Sequence, residues 1–228
     1  NKRISDLLER RSTREPLQYA LGNTFFADLD LKLDARVFIP RPETEGLLQR
    51  ILDEIETSPR RILDLGVGSG AIVLGLARVF PSAEAFAVDK SNDSLSLAEE
   101  NAKRNGLQGS ISFFLSDWFE KVNGKFDLIV SNPPYLDQEE WLACEPEVRD
   151  FEPKMALVSE IEDSAADLKR IIKEGFSRLC PGGLLALETG EKHHAPLLEL
   201  ALERGYLAPR GLDDLQGRPR YFFANRPA

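Results

Sequence analysis

Residues 61–71 of this 228-residue chain read Arg61-Ile62-Leu63-Asp64-Leu65-Gly66-Val67-Gly68-Ser69-Gly70-Ala71. The apolar run at the start is typical of a short buried strand, and the glycines after it are typical of a tight turn into a helix. Glycine in such a turn lets the backbone bend sharply and approach a ligand closely. The stretch therefore predicts a ligand-binding strand–turn–helix unit. Gly66, Gly68 and Ala71 also satisfy the relaxed dinucleotide pattern G-x-G-x-x-A, which leaves NAD open as a ligand.

Outward from this unit, apolar strand-like segments alternate with segments of helical periodicity. Such alternation is typical of a parallel, doubly wound α/β sheet. The predicted strands are 62–65, 83–88, 110–115, 126–130 and 184–187, and the predicted helices are 71–80, 94–105 and 164–179. A helix and two strands are expected within 196–226, and upstream we expect a helix over 1–14, a hairpin over 24–33 and a helix after 40–45.

Two further groups of residues fall where predicted strands end. Asp89 ends the second strand, where a carboxylate can accept hydrogen bonds from both hydroxyls of a ribose. Asn132-Pro133-Pro134-Tyr135 follows the fourth strand, and its prolines stiffen the backbone and leave carbonyls free to accept. The Asn132 side chain is a further acceptor and the Tyr135 ring a wall, which together suit a planar NH₂ group. The pattern favours transfer to an amide or amino nitrogen, for which positioning supplies most of the catalysis.

The net charge of −9 is concentrated in one segment. Residues 137–163 hold ten acidic side chains against two basic ones, Arg149 and Lys154, which gives −8. Such a segment would repel a phosphate backbone and argues against nucleic acid as a partner. A solvated acidic loop explains the charges equally well.

The histidines and cysteines of the chain do not indicate a metal site or a catalytic triad. His193 and His194 are adjacent, and Cys144 and Cys180 are far apart, so we expect neither a metal site nor a Ser-His-Asp triad. No segment has the apolar length of a transmembrane helix or the pattern of a signal peptide.

The glycine loop, Asp89 and residues 132–135 resemble the class I methyltransferases that modify amide or exocyclic amino nitrogens. Further stretches look like the release-factor glutamine N5-methyltransferases, the HemK/PrmC family. These stretches are Arg14-Glu15-Pro16-Leu17-Gln18-Tyr19, Pro40-Arg41-Pro42-Glu43-Thr44-Glu45, Ser116-Asp117-Trp118-Phe119, Glu152-Pro153-Lys154-Met155-Ala156-Leu157 and Glu188-Thr189-Gly190. The related ribosomal-protein glutamine methyltransferases usually have Pro-Arg-Ser-Pro where this chain has Pro-Arg-Pro-Glu.

The resemblance implies an α/β, Rossmann-like class I methyltransferase fold. Its sheet would be seven-stranded, doubly wound and mostly parallel, with an antiparallel C-terminal strand and a small N-terminal helix and β-hairpin. It implies S-adenosyl-L-methionine as cofactor and, as acceptor, N5 of the glutamine in the Gly-Gly-Gln loop of peptide-chain release factors. Residues 1–45 would be the remnant of a substrate-docking region and 46–228 the methyltransferase domain. A cytoplasmic monomer is expected, without a membrane or nucleic-acid partner.

Roles carry over from the family position by position. Asp89 would hold the ribose, Asp117 would accept from the adenine amino group, and Trp118 would pack on the ring. The methionine part of the cofactor would be wrapped by Gly66, Val67, Gly68, Ser69 and Gly70. The catalytic positions would be Asn132 and the Pro133 carbonyl, which bind the substrate amide, with Pro134 and Tyr135 beside them. Asn132 would also border the cofactor, and Pro42, Glu43 and Thr44 would close the site from above.

Departures from the family and several alternative functions accompany this interpretation. Val67 stands where the family usually has Thr, and the stretch 158–163 lacks a glycine that members commonly show there. N6-adenine methylation of DNA or RNA, glutamine methylation of a ribosomal protein and a non-catalytic cofactor-binding or adaptor module stay open. An NAD-dependent dehydrogenase is least supported, because no clear hydride-handling residue follows the fourth strand.

Overall fold

The computed structural model describes residues 2–159 and 163–228. Its amino-terminal part consists of α1 (Lys2–Ser12), α2 (Leu17–Leu21), β1 (Asn23–Phe26), β2 (Leu29–Lys32) and α3 (Pro42–Glu54). β1 and β2 pair antiparallel, so the predicted hairpin is confirmed. α3 begins at Pro42, whose fixed φ and missing N–H suit the first turn of a helix. The sequence pattern did not predict α2, because five residues are too few to show a helical period.

The rest of the described chain alternates strands and helices. In chain order the elements are β3 (Arg61–Leu65), α4 (Ala71–Val79), β4 (Glu84–Asp89), α5 (Asn92–Arg104), β5 (Ile111–Leu115), β6 (Phe126–Ser131), α6 (Gln138–Leu142), α7 (Pro146–Arg149), α8 (Ala166–Arg178), β7 (Leu179–Glu188), α9 (His194–Arg204), β8 (Leu207–Asp213) and β9 (Pro219–Asn225). The seven strands from β3 onward form one sheet in the order β5-β4-β3-β6-β7-β9-β8. The pairs from β5 to β7 are parallel, and β9 is antiparallel to both of its neighbours, as predicted.

The core lies on both faces of this sheet. Strand β3 is buried from Ile62 to its end, which agrees with its uninterrupted apolar sequence. Helix α4 is buried on nearly all sides. A Cβ on Gly75 of α4 would come within 2.7 Å of Leu48 Cδ2 on α3, so glycine at this position lets the two helices pack closely.

One strand is longer than its sequence pattern indicates. The predicted strand 184–187 is the regular part of β7, which begins at Leu179. Leu179 pairs with Phe126 and Leu184 with Leu128, so the residues between them form a bulge. They include Pro181, Gly182 and Gly183, which ordinarily mark the end of a strand. The pattern therefore placed the start of the strand too late.

The hairpin is joined to the sheet through a shared core. Phe26, Leu29 and Leu31 belong to the same buried cluster as α4. Asn101 of α5 donates to the carbonyl of Lys32 at 3.1 Å and accepts from its N–H at 2.7 Å. The domain boundary expected at residue 45 falls inside α3, and the division stays a prediction. The segment 158–163, discussed for its missing glycine, includes residues 160–162, which lie outside the described residues.

Candidate active site

A cleft opens at the carboxyl ends of β3, β4, β5 and β6, the edge of an open α/β sheet at which ligands bind. Each of these strands delivers one group of residues that the sequence analysis singled out. Eleven of the twelve candidate positions line the cleft: Gly66, Val67, Gly68, Ser69, Asp89, Asp117, Trp118, Asn132, Pro133, Pro134 and Tyr135. The twelfth, Gly70, does not line it and instead precedes α4 with φ +86°, where a Cβ would lie 3.3 Å from Cβ of Ala98.

The glycine loop is shaped by left-handed backbone and by its neighbours. Gly66 and Gly68 have φ of +74° and +51°, a region that glycine enters without strain. A Cβ on Gly68 would meet nothing within 4 Å, so its backbone faces open space in the cleft. Beneath the loop, Asp64 is fully buried. Its Oδ2 accepts from the N–H of Val73 at 3.1 Å, and its Oδ1 has no hydrogen-bond partner among the described residues. Burial raises the pKa of Asp64 to about 8.

Asp89 joins the end of β4 to the glycine loop. Its Oδ2 accepts from the N–H of Gly68 at 3.1 Å, and its Oδ1 accepts from the N–H of Ser91 at 2.9 Å. Burial raises the pKa of the carboxyl, and these two hydrogen bonds act in the opposite direction. A carboxylate offers about four lone-pair sites, so Asp89 keeps acceptor capacity toward the cleft.

Asp117 and Trp118 follow β5, the strand that pairs with β4, and they line the same cleft. The Trp118 backbone has φ +45°, uncommon outside glycine, and its indole N–H donates to Asp167 Oδ1 at 3.1 Å. This geometry holds the ring near the loop, where a Cβ on Gly66 would lie 3.6 Å from it. Asp117 Oδ1 accepts from Arg170 at 2.8 Å. One side of the Asp117 carboxylate is thus already engaged within the protein.

A chain of polar groups lies behind the motif 132–135. Asn132 Nδ2 donates to Thr44 Oγ1 at 3.2 Å, and Thr44 Oγ1 donates to Glu188 Oε2 at 2.8 Å. The Tyr135 hydroxyl donates to Glu188 Oε1 at 3.1 Å and accepts from Arg220 at 3.2 Å. Burial raises the pKa of the Tyr135 hydroxyl, which therefore stays protonated.

Residues 36–40 form a strap along the mouth of the cleft. The buried side chain of Glu152 anchors the strap. Its Oε2 accepts from the N–H of Ile39 at 3.0 Å, and its Oε1 accepts from Arg41. Arg41 also lies over the ring of Phe38, 4.6 Å from its centroid. Burial raises the pKa of Glu152, and the charge of Arg41 opposes the shift.

The chain has close relatives among known proteins. Residues 43–144 match the family profile of the methyltransferase small domain. The release factor glutamine methyltransferase of Aliivibrio fischeri is 39% identical over 216 residues, a match that covers 94% of this chain and 75% of the relative. The protein of the same name from Deinococcus radiodurans is 40% identical, with 98% and 79% covered. This chain belongs to the release factor glutamine methyltransferase family.

A solved structure supports the fold of this family member. A 16S rRNA N2 G1207 methyltransferase of T. thermophilus, in complex with AdoMet and guanosine, matches with a TM-score of 0.64 and 22% identity. The match covers 90% of this chain and 49% of that one. At this identity the likeness shows the class I methyltransferase fold alone, and it confirms the fold predicted from the sequence.

Sequence reasoning missed several residues that shape the site of this methyltransferase. Glu188 and Glu152 were noted only as parts of family stretches, and Arg220 was not noted at all. Each contacts residues about 85 to 145 positions away along the chain. One signal could have found Glu188, because it ends the strand next to β6 and a polar residue there lies beside the motif 132–135.

The acidic segment 137–163 is largely tied down within its described part. Arg14 pairs with Glu145 at 2.7 Å and with Glu147 at 2.5 Å. Lys192 pairs with Asp137 at 2.6 Å and with Glu140 at 2.9 Å. These ion pairs, whose side chains are partly exposed, link the segment to Arg14 in the amino-terminal region and to Lys192 just before α9. None of the helices among the described residues has both the length and the apolar character needed to cross a bilayer.

Proposed function

We propose that this chain transfers a methyl group from S-adenosylmethionine to the side-chain amide nitrogen of a glutamine in a peptide-chain release factor, within its Gly-Gly-Gln loop. The observation that carries the proposal is the meeting of two halves in one cleft. Gly66, Gly68 and Asp89 line one side, and Asn132 with Tyr135 lines the other. Family membership supplies the substrate class, since the relatives are named for it.

The residues present fit the cofactor. Glycine at 68 leaves open space where a side chain would stand, so a ligand can lie against the loop backbone. Asp89 keeps lone pairs for the two ribose hydroxyls, and Trp118 offers an indole held by Asp167. When bound, S-adenosylmethionine supplies an electrophilic methyl group on a sulfonium. The bound AdoMet of the T. thermophilus structure supports the same cofactor for this fold.

The amide-binding half acts mainly by positioning. An amide nitrogen is a weak nucleophile, because its lone pair is delocalised into the carbonyl. The Asn132 side-chain oxygen and the Pro133 carbonyl would each accept a hydrogen bond from the substrate NH₂ group. These two bonds would direct the nitrogen lone pair toward the methyl group. Tyr135 stays protonated and serves as a wall, so it is not the base. The proton leaves after the nitrogen has been alkylated, when it is far more acidic.

The proposal is tested by mass spectrometry of an unmodified release factor incubated with the protein and S-adenosylmethionine. We expect a gain of about 14 Da, the mass of one CH₂, on the glutamine of the Gly-Gly-Gln loop. Cofactor binding is measured in parallel by calorimetry. Binding without methylation would reject the substrate, and neither binding nor methylation would reject the enzyme class.

The variant Asn132→Ala separates the two halves of the cleft. We expect turnover to fall by more than about a hundredfold, because the substrate amide loses one of its two acceptors, a loss comparable to removing a preorganised hydrogen bond in a catalytic site. Cofactor affinity should stay within a few fold, since the loop and Asp89 are untouched. Methylation at the normal rate by this variant would contradict the mechanism.

A further inference from the structure

Thr44 connects two elements behind the amide-binding motif. It lies in the first turn of α3, between Asn132 after β6 and Glu188 at the end of β7. Its Oγ1 is 3.2 Å from Asn132 Nδ2 and 2.8 Å from Glu188 Oε2. Both Thr44 and Glu188 are buried, at 4% and 2% exposure, so water does not compete for these bonds.

With Glu188 ionised, the chemistry of these groups fixes the direction of each hydrogen bond. An ionised carboxylate accepts only, so Glu188 takes the single hydrogen of the Thr44 hydroxyl. The Thr44 oxygen is then an acceptor toward Asn132, and only the NH₂ end of the Asn132 amide can donate to it. The side-chain oxygen of Asn132 is left as the atom available to the cleft.

A second set of contacts keeps Glu188 in its accepting role. Its other oxygen accepts from the Tyr135 hydroxyl at 3.1 Å, and Arg220 donates to that same hydroxyl at 3.2 Å. The hydrogen of Tyr135 is therefore directed at Glu188, and the charge of Arg220 favours the ionised carboxylate. Burial raises the pKa of Glu188, while the hydrogen bonds from Thr44 and Tyr135 and the charge of Arg220 act against the shift.

We propose that Thr44 and Glu188 are positioning residues that lock the Asn132 amide with its oxygen toward the substrate, and so make the site select a glutamine amide over a carboxylate. The inference rests on the proposed function. In the locked orientation, the cleft presents an acceptor to the substrate NH₂. A glutamate carboxylate, which only accepts, would face the Asn132 oxygen without a hydrogen between them. With the lock removed, the amide can turn and offer its NH₂ end to a carboxylate.

The test compares Thr44→Val, which keeps the shape and removes the hydroxyl, with Thr44→Ser, which keeps the hydroxyl. Substrates are an unmodified release factor and, as a competitive inhibitor, the same factor with Gln→Glu in its Gly-Gly-Gln loop. For Thr44→Val we expect kcat/KM to fall by about tenfold to a hundredfold. Inhibition by the glutamate factor, relative to binding of the glutamine factor, should become stronger by several fold. Thr44→Ser should recover to within about threefold of the parent protein.

Two controls make the result specific. Thr57→Val, an exposed position before β3 at the opposite edge of the sheet, should behave as the parent protein. Calorimetry with S-adenosylmethionine confirms that each variant is folded and binds the cofactor. A folded Thr44→Val protein with the parent rate and selectivity overturns the inference, and so does equal damage from Val and Ser. Absence of methylation by the parent protein would instead overturn the proposed function, and the inference with it.

Discussion

Three carboxyl groups of the cleft region, on Asp64, Asp89 and Glu188, are held largely out of water, and burial raises the pKa of each. They differ in the hydrogen bonds that offset the cost of burying the charged carboxylate. Asp89 and Glu188 each have hydrogen-bond donors on both oxygens, whereas one oxygen of Asp64 finds no donor in the part of the chain that the structure describes. Asp64 is therefore the carboxyl whose charge is least compensated by hydrogen bonds, and its titration should be visible in the stability of the protein.

The pH dependence of stability tests this difference through Asp64→Asn. With a pKa of about 8 when folded and near its ordinary value when unfolded, Asp64 holds a proton in the folded state that the unfolded chain has lost. The free energy of unfolding of the parent protein should therefore fall between about pH 5 and pH 8, by up to about 1.4 kcal/mol per pH unit. Asp64→Asn should flatten this slope and be the more stable protein at pH 8.

Urea unfolding of the cofactor-free protein at several pH values measures that slope. Asp6→Asn, on the exposed face of α1, is the matched control and should follow the parent curve. An unchanged slope in Asp64→Asn would mean that Asp64 is ionised without penalty in the folded protein.

At the scale of elements, the strap 36–40 is held by two buried side chains from other segments, Glu152 and Tyr19. Glu152 holds both the Ile39 N–H and Arg41, and the Tyr19 hydroxyl donates to the carbonyl of Val37 from the other side. The strap otherwise has neither helix nor strand of its own. Its order along the cleft thus comes from side chains rather than from a backbone ladder.

Glu152→Ala should release the strap. It leaves the Ile39 N–H and the Arg41 guanidinium without their partner, and we expect a loss of about 3 kcal/mol in the free energy of unfolding. Backbone amides of residues 36–41 should exchange with solvent faster, as followed by mass spectrometry. Glu147→Ala, which removes a partly exposed pair with Arg14, is the control and should cost less and leave the strap unaffected.

Particular residues show why some elements and contacts could be predicted and others could not. The loop 66–70 and the motif 132–135 sit next to strands whose apolar runs are local signals, so their meeting at one edge follows from the parallel order of the sheet. The bonds of Thr44 to Glu188 and of Ile39 to Glu152 join segments more than a hundred residues apart. The spacing of apolar residues along the chain carries no information about such long-range contacts. In β7, proline and glycine indicate the end of a strand, whereas the structure has a bulge there and the strand continues.

Across the whole molecule, the negative charge is distributed in a way that opposes nucleic acids. The chain carries −9, and most of this charge comes from the segment that follows Tyr135, where the described acids of residues 137–152 include partners of Arg14, Arg41 and Lys192. A substrate that brings many phosphates would lose affinity through this field, whereas a protein loop carrying one glutamine would not.

Binding to a DNA or RNA duplex should accordingly be weaker than about 10⁻⁴ M at physiological salt, at the weak end of non-specific nucleic-acid binding. Fluorescence anisotropy with a labelled duplex, repeated at low salt, measures this. A release factor under the same conditions serves as the positive reference. Tight binding to a duplex that weakens steeply with added salt would favour adenine methylation over the proposed function.

The position of β9 has a consequence for how the enzyme is made. β9 comes after β8 in the chain but lies between β7 and β8, and it carries Arg220, which contacts Tyr135. A ribosome delivers the chain from its amino terminus, so β8 emerges with no strand to pair with and β7 keeps an open edge until β9 follows. Translation stalled before Pro219 would thus leave a nascent protein in which β7 has an unpaired strand edge and the candidate site lacks Arg220. The hydrogen bond from Arg220 to the Tyr135 hydroxyl can therefore form only after the last strand of the sheet has been synthesised.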